Sequence, residues 1–414
     1  MAKFTKEMRE KYTVLIPSML DFHMQLFKGI FTHVGFKAEI MTNEGQGVID
    51  EGLKYVHNDI CYPALLVIGQ CIDNLKHRER TDDVAVMITQ TGGGCRASNY
   101  KFLLKKALEQ AGFGHVPILA FNFAELQKVP EIGVSYKTLF KVLQAVFYGD
   151  MLMYLYNKTR SYEIEEGSAK ALTDKWVNIL MEQFRKNRGI SFRDFKKNAF
   201  DIAKDFDKLR VNITDKPRVG VVGEIYIKYA ALGNNHLEEL LVSLGAEICV
   251  PGLMGFIYYC LYNFTYDYQL YKKSGLMAFL SKILINYSNK REQVIIDAIA
   301  TTKYEPMQKF NHTRTLCDGI LDRGTKMGEG WLLTAEMVEL VQTGFENIVC
   351  AQPFGCLPNH ICGKGVSKKI KQLYPYANIV AIDYDPSATR VNQENRIKLM
   401  LSIARENLRK KKEE

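Results

Sequence analysis

Asn347-Ile-Val-Cys-Ala-Gln-Pro-Phe-Gly-Cys356 decides the fold, because an apolar strand runs there straight into a glycine–cysteine turn. The turn continues as Leu357-Pro-Asn-His-Ile-Cys-Gly-Lys-Gly365, and from Ala351 onward it holds two cysteines, three glycines and two prolines. A turn of this composition has a set shape and exposes backbone N–H groups around Cys356. The same pattern occurs earlier, where the apolar strand Val84 to Thr89 leads to Thr91-Gly-Gly-Gly-Cys95. A third cysteine, Cys61, stands in Asp59-Ile-Cys-Tyr-Pro63, and Pro63 opens a helix over Ala64 to Leu75.

Outward from these turns, strand and helix alternate, which predicts an α/β fold with mainly parallel sheets covered on both faces. Residues 1–135 read as an N-terminal α/β lobe. Residues 136–215 lack strand-like runs and read as a helical linker domain. Residues 216–414 read as a C-terminal α/β lobe with a helical insertion, predicted as helices over Phe256 to Tyr287 and Gln293 to Thr301. Gly35-Phe-Lys-Ala-Glu-Ile40 and Gly245-Ala-Glu-Ile248 occupy matching places after the first helix of each lobe. Two similar Rossmann- or flavodoxin-like lobes are therefore expected, with a metal cluster in the cleft between them.

Composition narrows the function. The chain is 47% hydrophobic and 24% charged, and 55 cations against 46 anions leave a mild +9. Aromatic side chains come without a stacking motif, so no nucleic-acid partner is expected. The longest apolar run, Val250 to Tyr262, contains Pro251, Gly252 and Gly255, and it is too short to span a bilayer. The charged N-terminus carries no signal-peptide pattern, and the nine cysteines lack the spacing of a secreted disulfide scaffold. A reducing cytoplasm is the expected location.

Free cysteines in that compartment are buried apolar groups or metal ligands. Cys71, Cys249, Cys260 and Cys350 sit within apolar runs and read as buried groups; Cys317 is undecided. Cys61, Cys95 and Cys356 sit in Gly/Pro turns at strand or helix ends and read as ligands of one soft metal centre. Gly93, Gly94 and Gly355 would let backbone amides approach the metal-bound sulfurs. Structural zinc favours Cys-x-x-Cys pairs, which are absent, so an iron–sulfur cluster suits three distant cysteines better. Cys362 reads as a fourth ligand, a ligand to a neighbouring cluster or a bystander. His57 and His360 flank the turns and are the candidates for proton donation, while Arg96 faces the centre or lies on a helix surface. Neither Gly220-x-x-Gly223-Glu224 nor Gly324-Thr-Lys-Met-Gly328 has the spacing of a nucleotide-binding loop.

Ile60-Cys-Tyr-Pro63, Thr89-Gln-Thr-Gly-Gly-Gly-Cys-Arg96, Gln352-Pro-Phe-Gly-Cys356 and Gly223-Glu224 resemble the corresponding segments of the 2-hydroxyacyl-CoA dehydratase and benzoyl-CoA reductase family. They are most similar to its stand-alone branch, related to activase-linked and double-cubane cluster proteins. The resemblance implies a [4Fe–4S] or larger double-cubane-type cluster held by Cys61, Cys95 and Cys356. It implies low-potential electrons delivered by an ATP-hydrolysing activase of the sugar kinase/Hsp70/actin type, and reductive or dehydration chemistry. It further implies a homologous subunit or a homodimer as partner. The alternative is a non-catalytic electron-transfer or scaffold subunit that holds its cluster for a homologous partner. Cys362 and the extra glycines depart from the dehydratase pattern, and an acyl-CoA substrate does not follow from the residues.

Overall fold

A computed structural model of the chain describes residues 4–57, 59–90, 94–122 and 134–413. The first lobe contains β1 (Thr13–Ile16), α1 (Asp21–His33), β2 (Lys37–Ile40), α2 (Gln46–Tyr55), α3 (Tyr62–Lys76), β3 (Val84–Gln90), α4 (Tyr100–Gln110) and β4 (Ile118–Asn122). The helices α5 (Tyr136–Arg160), α6 (Ser168–Arg185) and α7 (Phe192–Asp207) follow. The second lobe runs β5 (Arg218–Gly223), α8 (Ile225–Tyr229), α9 (Leu237–Ser243), β6 (Glu247–Cys249), α10 (Leu253–Tyr271), α11 (Gly275–Ile299), α12 (Trp331–Gln342), β7 (Asn347–Pro353), β8 (Asn378–Tyr384) and α13 (Arg390–Glu413).

Each lobe has a four-stranded sheet, ordered β2-β1-β3-β4 in one and β6-β5-β7-β8 in the other, and every pairing is parallel. The second order repeats the first strand for strand. All seven residues of β7 are buried, as expected of a parallel strand with helices on both faces. In both sheets the order reverses beside the first strand, so the crevice at the carboxyl ends of β1 and β3, and of β5 and β7, is where side-chain chemistry collects.

The central helices join the lobes. His23 of α1 lies 2.8 Å from the Asp150 carboxylate of α5, which also accepts the N–H groups of Leu253 and Met254 at the start of α10. That carboxylate answers backbone donors left open at a helix start. A Cβ at position 149 would sit 2.4 Å from the His23 ring, so Gly149 sets how closely α1 and α5 pack.

One helix boundary differs from the sequence expectation. The break in the insertion falls at 272–274, not beyond Tyr287, and α11 runs unbroken through Gln293. Lys272 closes α10 in the left-handed region, and the Ser274 side chain accepts the Met277 N–H to start α11. A serine N-cap outweighed the apolar continuity of the run. Among the described residues, no helix is long and apolar enough to cross a membrane.

Candidate metal centre

Register brings the pieces of the centre together. Gly223 at the end of β5 pairs with Ala351 in β7, which sets Glu224 beside the turn that carries Cys356. Only glycine fits at 223, since a Cβ there would sit 2.3 Å from the Ala351 carbonyl oxygen. From the other lobe, the Tyr62 N–H donates to the Phe354 carbonyl oxygen at 3.0 Å. Gly355 takes φ +72°, and a Cβ on it would lie 3.2 Å from Cys61 Cα. Gly328 closes the third side, its Cβ position being 3.9 Å from Cys95 Sγ and 3.0 Å from Pro358.

Cys61, Cys95 and Cys356 thus come from both lobes to one inter-lobe site. Cys61 and Cys356 are buried, and Cys95 is partly exposed. Each stands just before a helical turn: Cys61 before α3, Cys95 before Arg96–Asn99, and Cys356 before Leu357–Asn359. The N–H groups of Ala64, Ala97 and Asn359 face the three sulfurs and favour thiolate, though none forms a closed cap bond. The amides nearest the sulfurs therefore belong to helix starts. Gly94 instead donates its N–H to Met327 Sδ at 3.2 Å. Gly93 lies outside the described residues.

Burial outweighs these amides. It pushes the Cys61 thiol up, the Cys95 thiol to about 11 and the Cys356 thiol higher still, with Glu329 and Glu224 adding to the rise at Cys95 and Cys356. Without a cation all three sulfurs stay protonated at neutral pH, and a bound metal would replace those protons. The Tyr100 hydroxyl lies 3.3 Å from Cys61 Sγ, and the charge of Arg96 reaches the same sulfur and lowers its pKa.

Two buried carboxyls complete the site. Glu224 accepts the Ile227 N–H at 2.9 Å, and Glu329 accepts the Ile225 N–H at 3.0 Å. Burial, and then the charge of Glu329, raises Glu224 to about 8; burial likewise raises Glu329. Sequence reasoning noticed Glu224 only through its glycine and missed Glu329 and Tyr100. The available signal was Gly328-Glu-Gly330, an acid between two glycines that both take positive φ.

Of the remaining candidates, His360 is tied to the centre through its backbone, its N–H donating to the Cys356 carbonyl oxygen at 3.1 Å. His57 is 78% exposed and sits 3.3 Å from Asp59. His360 is exposed and meets Gln352 at 2.7 Å. Cys362 is buried in the His360–Lys364 turn, and Glu329 is the charged group that reaches it.

The donor set speaks to the kind of metal. Zinc–sulfur bonds of about 2.3 Å require sulfurs only about 3.8 Å apart. Among the described residues, no three His, Cys, Asp or Glu side chains are placed to hold a single ion. The charge of Cys61 acts on Cys95 and that of Cys95 on Cys356, so the three thiols lie within reach of one another's charge. No protein-family model matches the chain, and no curated protein matches it.

Proposed function

We propose that this chain is an iron–sulfur protein of the 2-hydroxyacyl-CoA dehydratase type, with Cys61, Cys95 and Cys356 as cluster ligands. The reading is carried by one observation: three thiols from two lobes meet at the carboxyl ends of two parallel sheets, each with backbone amides facing its sulfur. A [4Fe–4S] or double-cubane-type cluster would supply low-potential one-electron chemistry there.

The chain's own groups shape that chemistry. Tyr100 orients Cys61 Sγ, and Arg96 offsets negative charge beside it. Burial raises Glu224 to about 8 and raises Glu329 above the ordinary carboxylate range, which favours a proton-donating acid beside any bound substrate. Such acids favour a catalytic subunit over one that only relays electrons. Met327, Phe354, Leu357 and Ile361 are 47–67% exposed on the turns around the cysteines. This apolar rim suits the docking of an ATP-hydrolysing activase, which must bring its own cluster close. A second exposed apolar group, including Leu276, Phe279 and Leu280 at the start of α11, suits a homologous subunit or a second copy.

Anaerobic purification followed by iron, sulfide and EPR measurement tests the assignment. Cys61→Ala, Cys95→Ala and Cys356→Ala should each lose the cluster signal, and Cys260→Ala should keep it. Equal iron in all four variants would sink the proposal.

A further inference from the structure

The interior holds a second polar site that the cysteine centre does not use. A cavity of about 150 Å³ lies between α5, the start of α10, α11 and α12, with the exposed residues Glu305, Pro306 and Gln308 at its mouth. That volume resembles an engineered apolar cavity able to hold benzene, so a ligand of about six heavy atoms fits. The wall is unusually acidic: Asp150, Glu292, Glu305, Glu336 and Glu339 line it, against Arg218 as the lining cation.

Several of these charges are already answered. Asp150 is saturated by His23 and two backbone amides. Arg218 binds Glu305 at 2.7 Å, and Lys228 sits 3.2 Å from Glu336. Glu292 and Glu339 are not matched in this way. Glu292 accepts the Phe310 N–H at 2.7 Å, and the cation that reaches it is the exposed Lys309. Glu339 feels the Thr313 hydroxyl, which donates to the Lys309 carbonyl oxygen at 3.3 Å, while the charges acting on it are those of Glu336 and Glu292, both negative.

An independent observation points to a missing group. Tyr258 lines the same cavity and is 1% exposed, yet its hydroxyl has no hydrogen-bond partner among the described residues. A buried orphan hydroxyl is costly unless something in the cavity meets it. The Tyr258 ring stacks on Phe310 at 4.9 Å, and Phe147 and Phe345 add further aromatic wall.

The wall selects the ligand. Once both carboxyls are ionised, anions are repelled, and a neutral molecule leaves the carboxylates unanswered. No three side chains among the described residues are placed to hold one metal ion. A primary ammonium ion carries three donors for two carboxylates and a phenol oxygen, and aromatic faces attract it as well. We propose that this cavity binds a short primary alkylammonium ion through Glu292, Glu339 and Tyr258, with its alkyl tail against Phe147 and Phe310. The proposal is independent of the cluster assignment.

Isothermal titration of the full chain with n-butylammonium chloride tests it, at about pH 8.5 so that both carboxylates are ionised. n-Butanol serves as the neutral control and potassium chloride as the ionic-strength control. Saturable binding of butylammonium alone is expected. Glu292→Gln and Glu339→Gln should each weaken it at least about tenfold, as for loss of a charged hydrogen bond. Tyr258→Phe removes only an unpartnered hydroxyl, so it should fold normally and bind more weakly, and it decides the matter if a glutamine variant fails to fold. Equal binding of butanol, absence of saturable binding at millimolar butylammonium, or unchanged affinity in the variants that fold would overturn the proposal.

Discussion

The Tyr62 N–H and the Phe354 carbonyl oxygen meet at 3.0 Å, and this bond fastens the start of α3 to the turn after β7. It joins two lobes whose sheets are otherwise separate, one residue after Cys61 and two before Cys356. The spacing of the two cysteines therefore depends on backbone, not on flexible side chains.

Gly355 is the weak point of that arrangement. Its φ of +72° costs a residue with a side chain about 1–2 kcal/mol, and the added Cβ would press on the Ile60 carbonyl oxygen and Cys61 Cα at 3.2 Å. Gly355→Ala should lower stability in urea unfolding by about that amount and reduce bound iron more than in proportion. An unchanged iron content would show that the sulfurs need no such fixed spacing.

Leu357 is 67% exposed beside Cys356 among the described residues. If the proposed cluster and activase are present, Leu357→Lys should leave iron content and folding unchanged while slowing reduction by that activase, because a charge then enters the apolar rim. Stopped-flow reduction of the cluster by the activase reads this directly. An unaltered rate would move the docking site elsewhere.

How much of this was legible depends on the range of the interaction. Asn347 to Pro353 announces a buried parallel strand through unbroken apolarity, and the Gly-Cys turns announce the strand ends, because both signals are local. Two equivalent lobes were visible in Gly35–Ile40 and Gly245–Ile248, and the identical strand orders agree with that reading. Tyr100 and Glu329 were not legible. Each acts on a cysteine from another segment, and in sequence Tyr100 is simply the first residue of an amphipathic helix. Glu336 and Glu339 were readable in retrospect, as the acids within the mostly apolar helix Trp331 to Val341.

Asp150 ties α1, α5 and α10 together by accepting from two α10 amides and lying against His23. Asp150→Ala would strand two buried backbone donors and the His23 ring, at a cost of about 1–3 kcal/mol for the unsatisfied groups. Urea unfolding should show that loss. Since Asp150 is remote from the cysteine turns in sequence and packing, folded protein should still bind iron. Loss of iron with no loss of stability would contradict this separation.

Glu339 gives the pH dependence of stability a definite sign. Burial raises Glu339 to about 8 and Glu292 to about 7, both above the ordinary carboxylate range, so the folded chain binds more protons than the unfolded one. Their contribution is fully present below about pH 4.5 and is lost as pH rises through about 7 and 8. Lys228 does not reverse this, because it is taken up by Glu336. Urea unfolding across this range should therefore show stability falling with pH, each group adding at most about 1.4 kcal/mol per pH unit. Glu339→Gln cannot ionise and should flatten the profile by up to one group's share. Butylammonium should flatten it too, since a cation in the cavity removes the penalty of ionising both carboxylates. A profile rising with pH, or one unchanged in Glu339→Gln, would mean that this carboxyl is already ionised in the folded chain at neutral pH.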